Sequence, residues 1–508
     1  MRPCTSFWSA FQCGTSRALK PNELRRVARK SRCAIGVFRR ITLLAIALSI
    51  APAGYFLLHL LKDKANKPEY SCDNRNHGNV TSSIREFDSL LAGKLLESDS
   101  GQDPLFEDDD AWVLVLPRTY VYSAYMDDSE PGNCQVRLIS VVPRDAAGDR
   151  AVQCWISVGS AVFLSEASLK VLPEHHDLPY AAAFFVCPVK FPSEVRGQPN
   201  MRVALGTNWN MSSPKWFKVH NRRQQPPKFL SACVRPMVGH FSALSLVTEF
   251  VAYYAAMGVG RFDFYLCQVP RETEILLSLL RNRGKVDIRL HRWNLYLNGS
   301  YILEHGQLAA IQDCLYRSKL TSEYVLNVDF DEFLVSKTRS TLSEALLEIE
   351  GSVGKRSLGS VVVKNQFFCY EYPFNAAYLR QKPPLLTRIL FVREANPWKH
   401  RERSKYAARA SAVATGGVHF VWEHTLGARE VAISESVMVM HHYRSCCGLK
   451  KSNFWGSSYT EVLTKEGVVI DKSMYAFAAR LLYSDVITFI KELIEEPTTE
   501  PPLYTYTD

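Results

Sequence analysis

From Ser231 onward short apolar runs alternate with amphipathic stretches, and no other feature of the sequence constrains the fold as tightly. Cys233-Val-Arg-Pro-Met-Val238, Phe262-Asp-Phe-Tyr-Leu-Cys267 and Val286-Asp-Ile-Arg-Leu290 read as strands. Between the first two lies a helix with Leu246, Phe250, Tyr253, Tyr254 and Met257 at helical spacing, stopped by Gly258. A second helix is predicted over 272–283, stopped by Gly284. A third, around 304–318, carries Leu308, Ile311 and Leu315 on one face and leads into Tyr324-Val-Leu-Asn-Val-Asp329-Phe-Asp331-Glu332-Phe-Leu-Val335. This alternation predicts an α/β domain built on a parallel sheet with crossover helices. Ligands of such sheets collect beyond the carboxyl ends of the strands, where Asp329 and Asp331 fall. Side chains along a strand alternate faces, so two carboxylates two positions apart should project together. Such a pair suits a Mg²⁺- or Mn²⁺-like ion with coordination positions left for a diphosphate. A second Asp-x-Asp, Asp108-x-Asp110, sits in the acidic run Glu107–Asp110 and reads as solvated linker.

A chain of 508 residues exceeds one ordinary core, so more than one domain is expected. The formal charge of +10 suggests a nucleic-acid partner until it is located. Residues 1–40 hold ten Lys or Arg and one acid, Glu23, which leaves the rest of the chain nearly balanced. No basic face for a phosphate backbone follows, and no nucleic-acid partner is expected. Directly after this tail, Ile41–Leu61 is an uncharged stretch that would span about 30 Å as a helix. Arg39 and Arg40 precede it; Lys62 and Lys64 follow. The heavier positive load is N-terminal, which predicts a signal anchor with residues 1–40 cytosolic and the remainder lumenal. Ten cysteines follow the span, in a compartment where disulfides form. Acceptor triplets for N-glycosylation occur at Asn79, Asn210 and Asn298, all on the lumenal side.

Residues 62–110 are polar and read as a stem without a core. From Ala111 to about 228 short β-type runs such as Trp112–Leu116, Gln135–Val142 and Ala181–Cys187 recur between turn signals, which predicts a small β-sandwich-like domain. Arg222–Pro227 reads as a linker. The α/β domain would occupy 229–495, closed by a helix within 471–495, and 496–508 reads as a disordered tail.

Cys233-Val-x-Pro236, Glu249-Phe-x-x-Tyr-Tyr254 with Gly258-Val, Gly306-Gln-x-Ala-x-Ile-Gln-Asp-Cys-Leu-x-Arg317, Val328-Asp-Phe-Asp-Glu-Phe333 and His442-Tyr-Arg444 occur in this order. The series resembles glycosyltransferase family 92, animal and plant galactosyltransferase-like proteins of type II membrane topology, and covers roughly residues 231–450. The resemblance implies a GT-A-type, Rossmann-like catalytic domain and Mn²⁺ or another divalent cation. It also implies a UDP-sugar donor, most often UDP-galactose, and a glycan acceptor on a glycoprotein or glycolipid. The protein would be a single-pass Golgi enzyme with a lumenal catalytic domain. Asp329 and Asp331 would hold the metal, with His442 as third ligand and His419 as the other candidate. Arg235, Gln307, Asp313, Arg317 and Arg444 would meet the nucleotide sugar. Arg235 departs from the smaller polar residue that the family often has there. Inversion requires a base to take the acceptor proton; Glu332, Glu423 and Glu371 are the acids near strand ends, and the sequence does not choose among them.

Other chemistries find no support. There is no Gly-x-x-x-x-Gly-Lys loop, no His-Glu-x-x-His and no Cys-x-x-Cys. Two rival readings are a membrane-tethered lectin-like protein and an inactive transferase homologue. A pure binding module has no need of the Asp329–Asp331 pair, and the intact Asp-x-Asp and His-Tyr-Arg speak against inactivity.

Overall fold

The computed structural model describes residues 74–495 except 100, 102–105, 107–108, 131–132, 147–150, 190–199, 208–213, 222–226, 240, 426 and 447–466. The basic tail, the apolar span 41–61, Asn210, most of the linker and the tail 496–508 lie outside the described residues. Among the described residues no helix is long and apolar enough to cross a membrane. From Cys72 onward the chain forms one compact unit, a mixed α/β structure with several sheets.

The central sheet contains β1 (Lys228–Cys233), β2 (Arg261–Cys267), β3 (Ile288–Arg292), β4 (Ser322–Asn327), β6 (Leu358–Val363), β8 (Lys405–Arg409) and β9 (Arg429–Ala432). Its order is β3–β2–β1–β4–β8–β6–β9, with the short strand Met237–Val238 also on β2. The first four strands run parallel, and β8 pairs antiparallel with both β4 and β6. A smaller sheet is made of β5 (Glu332–Ser336), β7 (Asn365–Cys369) and β10 (Met438–Arg444), with β10 in the middle.

Helices α2 (Leu244–Ala256), α3 (Arg271–Arg283) and α4 (Gln307–Thr321) make the crossovers between successive parallel strands. Helices α2 and α3 share a core with one face of the sheet, through Phe250, Leu276, Leu230, Phe262 and Phe264. The opposite face, including Val325 and Tyr265, packs on α4. Gly258 follows α2 with φ +97°, and a Cβ there would lie 2.3 Å from Ser343 Oγ. Only glycine lets the chain turn this tightly against its neighbour.

Nine strands between Val113 and His220 form the β-rich layer. They enclose a core of their own in which Val121, Leu138, Ile156, Phe185 and Val203 meet, and Cys154–Cys187 ties two of the strands together. Its outer face covers α4, so α4 is buried on both sides.

Two expectations fail at the level of elements. Residues 62–110 were expected as a stem without a core, yet α1 (Asn74–Glu97) places Val80, Phe87, Leu91 and Leu95 in the core shared with α2 and α3. Each such burial is worth roughly 1.5–3 kcal/mol, which fastens a helix too polar to persist alone. Asp110, expected in solvated linker, is nearly buried, with His220 Nε2 at 2.7 Å and Arg317 Nη2 at 3.0 Å. The C-terminal segment is broken into a 3-10 turn, a short helix at Ala478–Leu482 and α5 (Asp485–Glu495), whose Val486, Ile490 and Leu493 complete the same core.

Candidate active site

The order β3–β2–β1–β4 reverses between β1 and β4, and a crevice forms at such a reversal beyond the strand ends. Cys233 and Asn327 are paired neighbours at those two ends, so the chain just after each leads to the same place. After β1 comes Arg235, and after β4 come Asp329 and Asp331.

Asp329 and Asp331 were expected on one strand. They lie instead in the turn by which the chain leaves β4 in the large sheet and enters β5 in the small one. That turn, not strand alternation, places the two carboxylates in each other's field, and Phe330 between them is buried against Phe241, Phe250 and Phe264. Glu332 closes the turn from within: its carboxylate accepts the Asp329 amide at 2.8 Å. Two tyrosines on α2 fix β5 from behind. Tyr253 donates to the Leu334 carbonyl at 2.7 Å, while Tyr254 donates to the Glu332 carbonyl at 2.8 Å and accepts from the Leu334 amide. These hydroxyls satisfy backbone groups on the edge of β5 that no strand pairs among the described residues.

Strand β10 runs antiparallel to β5 and sets His442 opposite Glu332. The two adjacent histidines part, as alternation requires. His441 is wholly buried toward Asp471 at 4.0 Å, and burial pushes its imidazole down to about 3. His442 turns to Asp331, with Nε2 3.2 Å from Oδ2. Its other nitrogen, Nδ1, faces Asn365 Oδ1 at 3.2 Å and Glu332 Oε1 at 3.5 Å. Both ring nitrogens thus face acceptors, whereas a neutral imidazole carries a single N–H. One of these nitrogens can donate, which leaves the lone pair of the other to a donor or a cation. Two donors bound side by side on one small divalent ion stand about 3 Å apart, so the His442–Asp331 spacing suits that ion. Asp329 would have to close in to join them, since the ligand atoms of Asp329, Asp331 and His442 do not all lie within 4.8 Å of one another.

The pair is surrounded by positive charge. Lys405, buried at the start of β8, reaches Asp329 Oδ2 at 2.9 Å and Glu332 Oε2 at 3.5 Å. Burial would raise the Asp329 carboxyl, but Lys405 and Arg235 outweigh it and hold it below the usual range. Asp331 is likewise drawn down, to about 2, because His442, Arg235 and Arg444 outweigh the burial. Glu332, more deeply enclosed, is pushed up by burial to about 7 despite Lys405. The Asp329 and Asp331 side chains stay 22% and 30% open to solvent. The turn can therefore be reached from outside.

Of the residues singled out in the sequence, the fold gathers Asp329, Asp331, Glu332, His442, Arg444 and Arg235 at this point. His419 lies near: its Nδ1 is 3.1 Å from the Ser404 carbonyl, and burial with Lys405 lowers its imidazole to about 4. The others are placed as follows. Asp313 is fully buried under the β-rich layer, accepting from Ser123 Oγ, from Tyr125 OH at 2.6 Å and from Tyr265 OH at 2.6 Å. Arg317 is held there by Asp313 at 3.2 Å and Asp110 at 3.0 Å. Neither contacts the Asp329–Asp331 turn among the described residues, and both serve the seam between layers. Gln307 opens α4 as a buried residue behind the left-handed turn Glu304-His305-Gly306, where Trp293 Nε1 donates to the His305 carbonyl at 2.9 Å. Glu423 pairs with Lys170 of the β-rich layer and accepts from Thr415 Oγ1 at 2.7 Å. Glu371 accepts from Ser445 Oγ at 2.7 Å and the Cys446 amide at 3.0 Å, which braces the chain after Arg444. Asn79 and Asn298 are exposed.

Sequence reading missed Lys405 and Asn365. No motif marks either. The signal for Lys405 is a lysine opening the apolar strand Lys-Tyr-Ala-Ala-Arg, where a buried lysine demands a carboxylate partner. Two disulfides fasten the crevice: Cys233–Cys314 joins the end of β1 to α4, and Cys369–Cys446 joins the end of β7 to the chain after β10. The group Cys369, Glu371 and Cys446 has the spacing of metal ligands, but its sulfurs are bonded to each other and offer no thiolate.

The chain is 22% identical over 312 residues to a beta-1,4-galactosyltransferase of Caenorhabditis elegans, covering 60% of this chain and 70% of that protein. It is 23% identical over 232 residues to a galactan beta-1,4-galactosyltransferase of Arabidopsis thaliana, covering 45% of this chain and 42% of that one. The chain thus spans less than half the length of the plant relative. Among solved structures, a ferredoxin-NADP+ reductase from Plasmodium falciparum with 2'P-AMP matches 41% of this chain and 84% of its own, at 10% identity and a TM-score of 0.13. A score that low carries no argument about the fold. The model of glycosyltransferase family 92 matches residues 228–481, half of the chain, and those residues include β1, the Asp329–Asp331 turn and His442-Tyr-Arg444. The protein belongs to glycosyltransferase family 92.

Proposed function

We propose that the protein is a metal-dependent, inverting transferase that moves galactose from UDP-galactose onto a glycan hydroxyl, on a GT-A-type fold. The observation that carries this reading is the Asp329–Phe330–Asp331 turn at the sheet reversal, facing His442 and ringed by Arg235, Lys405 and Arg444. Membership of the family supports a sugar donor and a glycan acceptor; the names of the two relatives support galactose.

A nucleoside diphosphate leaves a sugar poorly because negative charge builds on its terminal phosphate. Asp329, Asp331 and His442 would hold a divalent cation such as Mn²⁺, which when bound offsets that charge as a Lewis acid. Arg235 and Arg444, whose fields already reach Asp331, would add positive charge as the bond breaks. Lys405 keeps Asp329 ionised and aimed. Glu332 is a positioning residue, since Oε2 accepts the Asp329 amide beside Lys405, Oε1 lies 3.5 Å from His442 Nδ1, and it is closed to solvent. Glu423, drawn to Lys170, is set aside as a base. The lectin-like alternative leaves the clustering of these charges without purpose. The protein would act as a type II membrane protein of the Golgi, with Ile41–Leu61 as anchor and the active domain lumenal.

The test is a secreted fragment beginning at about residue 72, where the compact unit starts. It is assayed against a panel of UDP-sugars and neutral acceptors, with Mn²⁺ and with chelator. Galactose transfer abolished by chelator and restored by Mn²⁺ is expected. Transfer unaffected by chelator ends the metal reading, and transfer of a different sugar ends the donor assignment.

A further inference from the structure

We propose that Glu304 receives the ribose of the donor, its carboxylate accepting from the two adjacent hydroxyls, and so makes the site select ribonucleotides. This rests on the transferase reading above and deepens it by naming the residue that recognises the nucleoside.

Glu304 stands at the edge of the sheet where the aspartate turn lies. Helix α4 crosses from β3 back to β4, so it begins beyond the carboxyl ends of the parallel strands, and Glu304 is in the turn just before it. Arg235 connects the two places. The Val328 amide donates to the Cys233 carbonyl at 3.3 Å, so the chain leaves β1 toward Arg235 beside the point where it leaves β4 toward Asp329. From there Arg235 reaches Glu304, with Nη1 3.7 Å from Oε2. The strand ends thus present two aspartates, a guanidinium next to them and a carboxylate next to the guanidinium. A UDP-sugar offers partners in the same order. Its diphosphate suits Arg235 and a cation held by the aspartates, and the ribose that follows has vicinal hydroxyls that one carboxylate can accept as a pair.

The backbone is built to present Glu304. Glu304 (φ 42°), His305 (φ 54°) and Gly306 (φ 87°) are successive left-handed residues, a conformation unfavourable for the two that carry side chains. The turn is held from behind. Trp293, wholly buried, donates Nε1 to the His305 carbonyl at 2.9 Å, and a Cβ on Gly306 would lie 2.9 Å from Leu295 Cδ2. An exposed ion pair contributes little to stability, so the contact with Arg235 does not by itself account for such a turn. The Glu304 and Arg235 side chains are 57% and 44% open to solvent, so a ligand can reach both. Glu304 stands on the wrong side for the base of inversion. It adjoins the guanidinium assigned to the leaving diphosphate, whereas the acceptor hydroxyl gives up its proton on the opposite face of the sugar.

The experiment measures the binding of UDP and of 2′-deoxy-UDP to the fragment from residue 72, by isothermal titration in Mn²⁺. Wild type is compared with Glu304→Ala, Glu304→Gly and Glu304→Asp, and folding is checked by thermal melts. Glu304→Gly suits the left-handed backbone and carries the test if Glu304→Ala does not fold. Wild type is expected to bind UDP about tenfold or more tighter than 2′-deoxy-UDP. Glu304→Ala and Glu304→Gly should bring that ratio within about twofold of unity, and Glu304→Asp should keep part of it. Freeing Arg235 alters both affinities alike, so a role confined to the ion pair leaves the ratio as it is in wild type. The UDP-galactose KM of Glu304→Gly should rise about tenfold with kcat within about twofold of wild type. Equal binding of the two nucleotides by wild type, or a wild-type ratio in the folded alanine or glycine variant, overturns the proposal while the transferase reading stands. A wild-type fragment that binds no UDP overturns both.

Discussion

Replacing Asp331 by asparagine keeps the shape of the side chain and removes the charge that His442, Arg235 and Arg444 face. The expected outcome for Asp329→Asn and Asp331→Asn is a fall in kcat/KM of about 10²-fold or more, roughly 3 kcal/mol of transition-state stabilisation, with a thermal midpoint near wild type. Steady-state kinetics beside melting curves check this; wild-type turnover in either variant removes the metal role. Lys405→Met tests the opposite balance. Asp329 and the enclosed Glu332 would then share their turn without the buried ammonium that pairs both. Loss of about 3–5 kcal/mol is expected, and Mn²⁺ should raise the melting temperature of this variant more than that of wild type. The residues were unequally legible. Asp329 and Asp331 stood out by type and spacing, although the reason for their convergence is a turn between sheets and not strand alternation. Lys405 became visible only through the pairing of β8 with β4, because a lone lysine in sequence does not announce its carboxylate.

At the scale of elements, the alternation from residue 231 was readable because α2 and α3 each stop at a glycine, Gly258 and Gly284, and apolar residues dominate the strands between them. Helix α1 was not, since its buried stripe is one residue wide in a polar segment. Leu91, wholly enclosed, should cost about 2–5 kcal/mol as alanine, measurable by urea melts of the fragment from residue 72. A fragment starting at 111 lacks α1 altogether and should be poorly soluble, because the faces of α2 and α3 that it covers would be bare. Strand β2 carries an acid-sensitive device. Asp263 is buried between Arg261, at 3.0 Å, and His291, at 2.7 Å, which outweigh burial and hold its carboxyl far below its ordinary value of 3.8. The folded state therefore binds this proton less readily than the unfolded chain does. The stabilisation is complete above about pH 4 and is lost as pH falls toward the folded value. Asp263→Asn should lower stability at pH 7 by about 3–5 kcal/mol and flatten its decline between pH 4 and pH 2, as read from denaturant midpoints at each pH.

Across the whole molecule, helix α4 misled the sequence reading most. Gln312, Asp313 and Arg317 look like a solvent- or ligand-facing row, but the β-rich layer covers Asp313 and Arg317 and the chain at Gly416 covers Gln312, and no property of α4 alone reveals what lies on top of it. Gln312 is spent on Gly416, at 2.7 Å and 3.0 Å. Asp313→Ala should be destabilising by several kcal/mol, on the order of 3–5, because it strands Arg317 and three buried hydroxyls. Nucleotide-sugar affinity should change little in whatever protein still folds, as isothermal titration with UDP can measure. The Asp313 carboxylate gathers hydrogens from Ser123 and Tyr125 on one side and Tyr265 on the other. Its position makes the β-rich layer a poor candidate for exchange. A chimera that swapped this layer for that of a distant homologue would have to transplant the matching surface of the helix beneath it, so the two halves are expected to diverge together rather than be shuffled as independent parts.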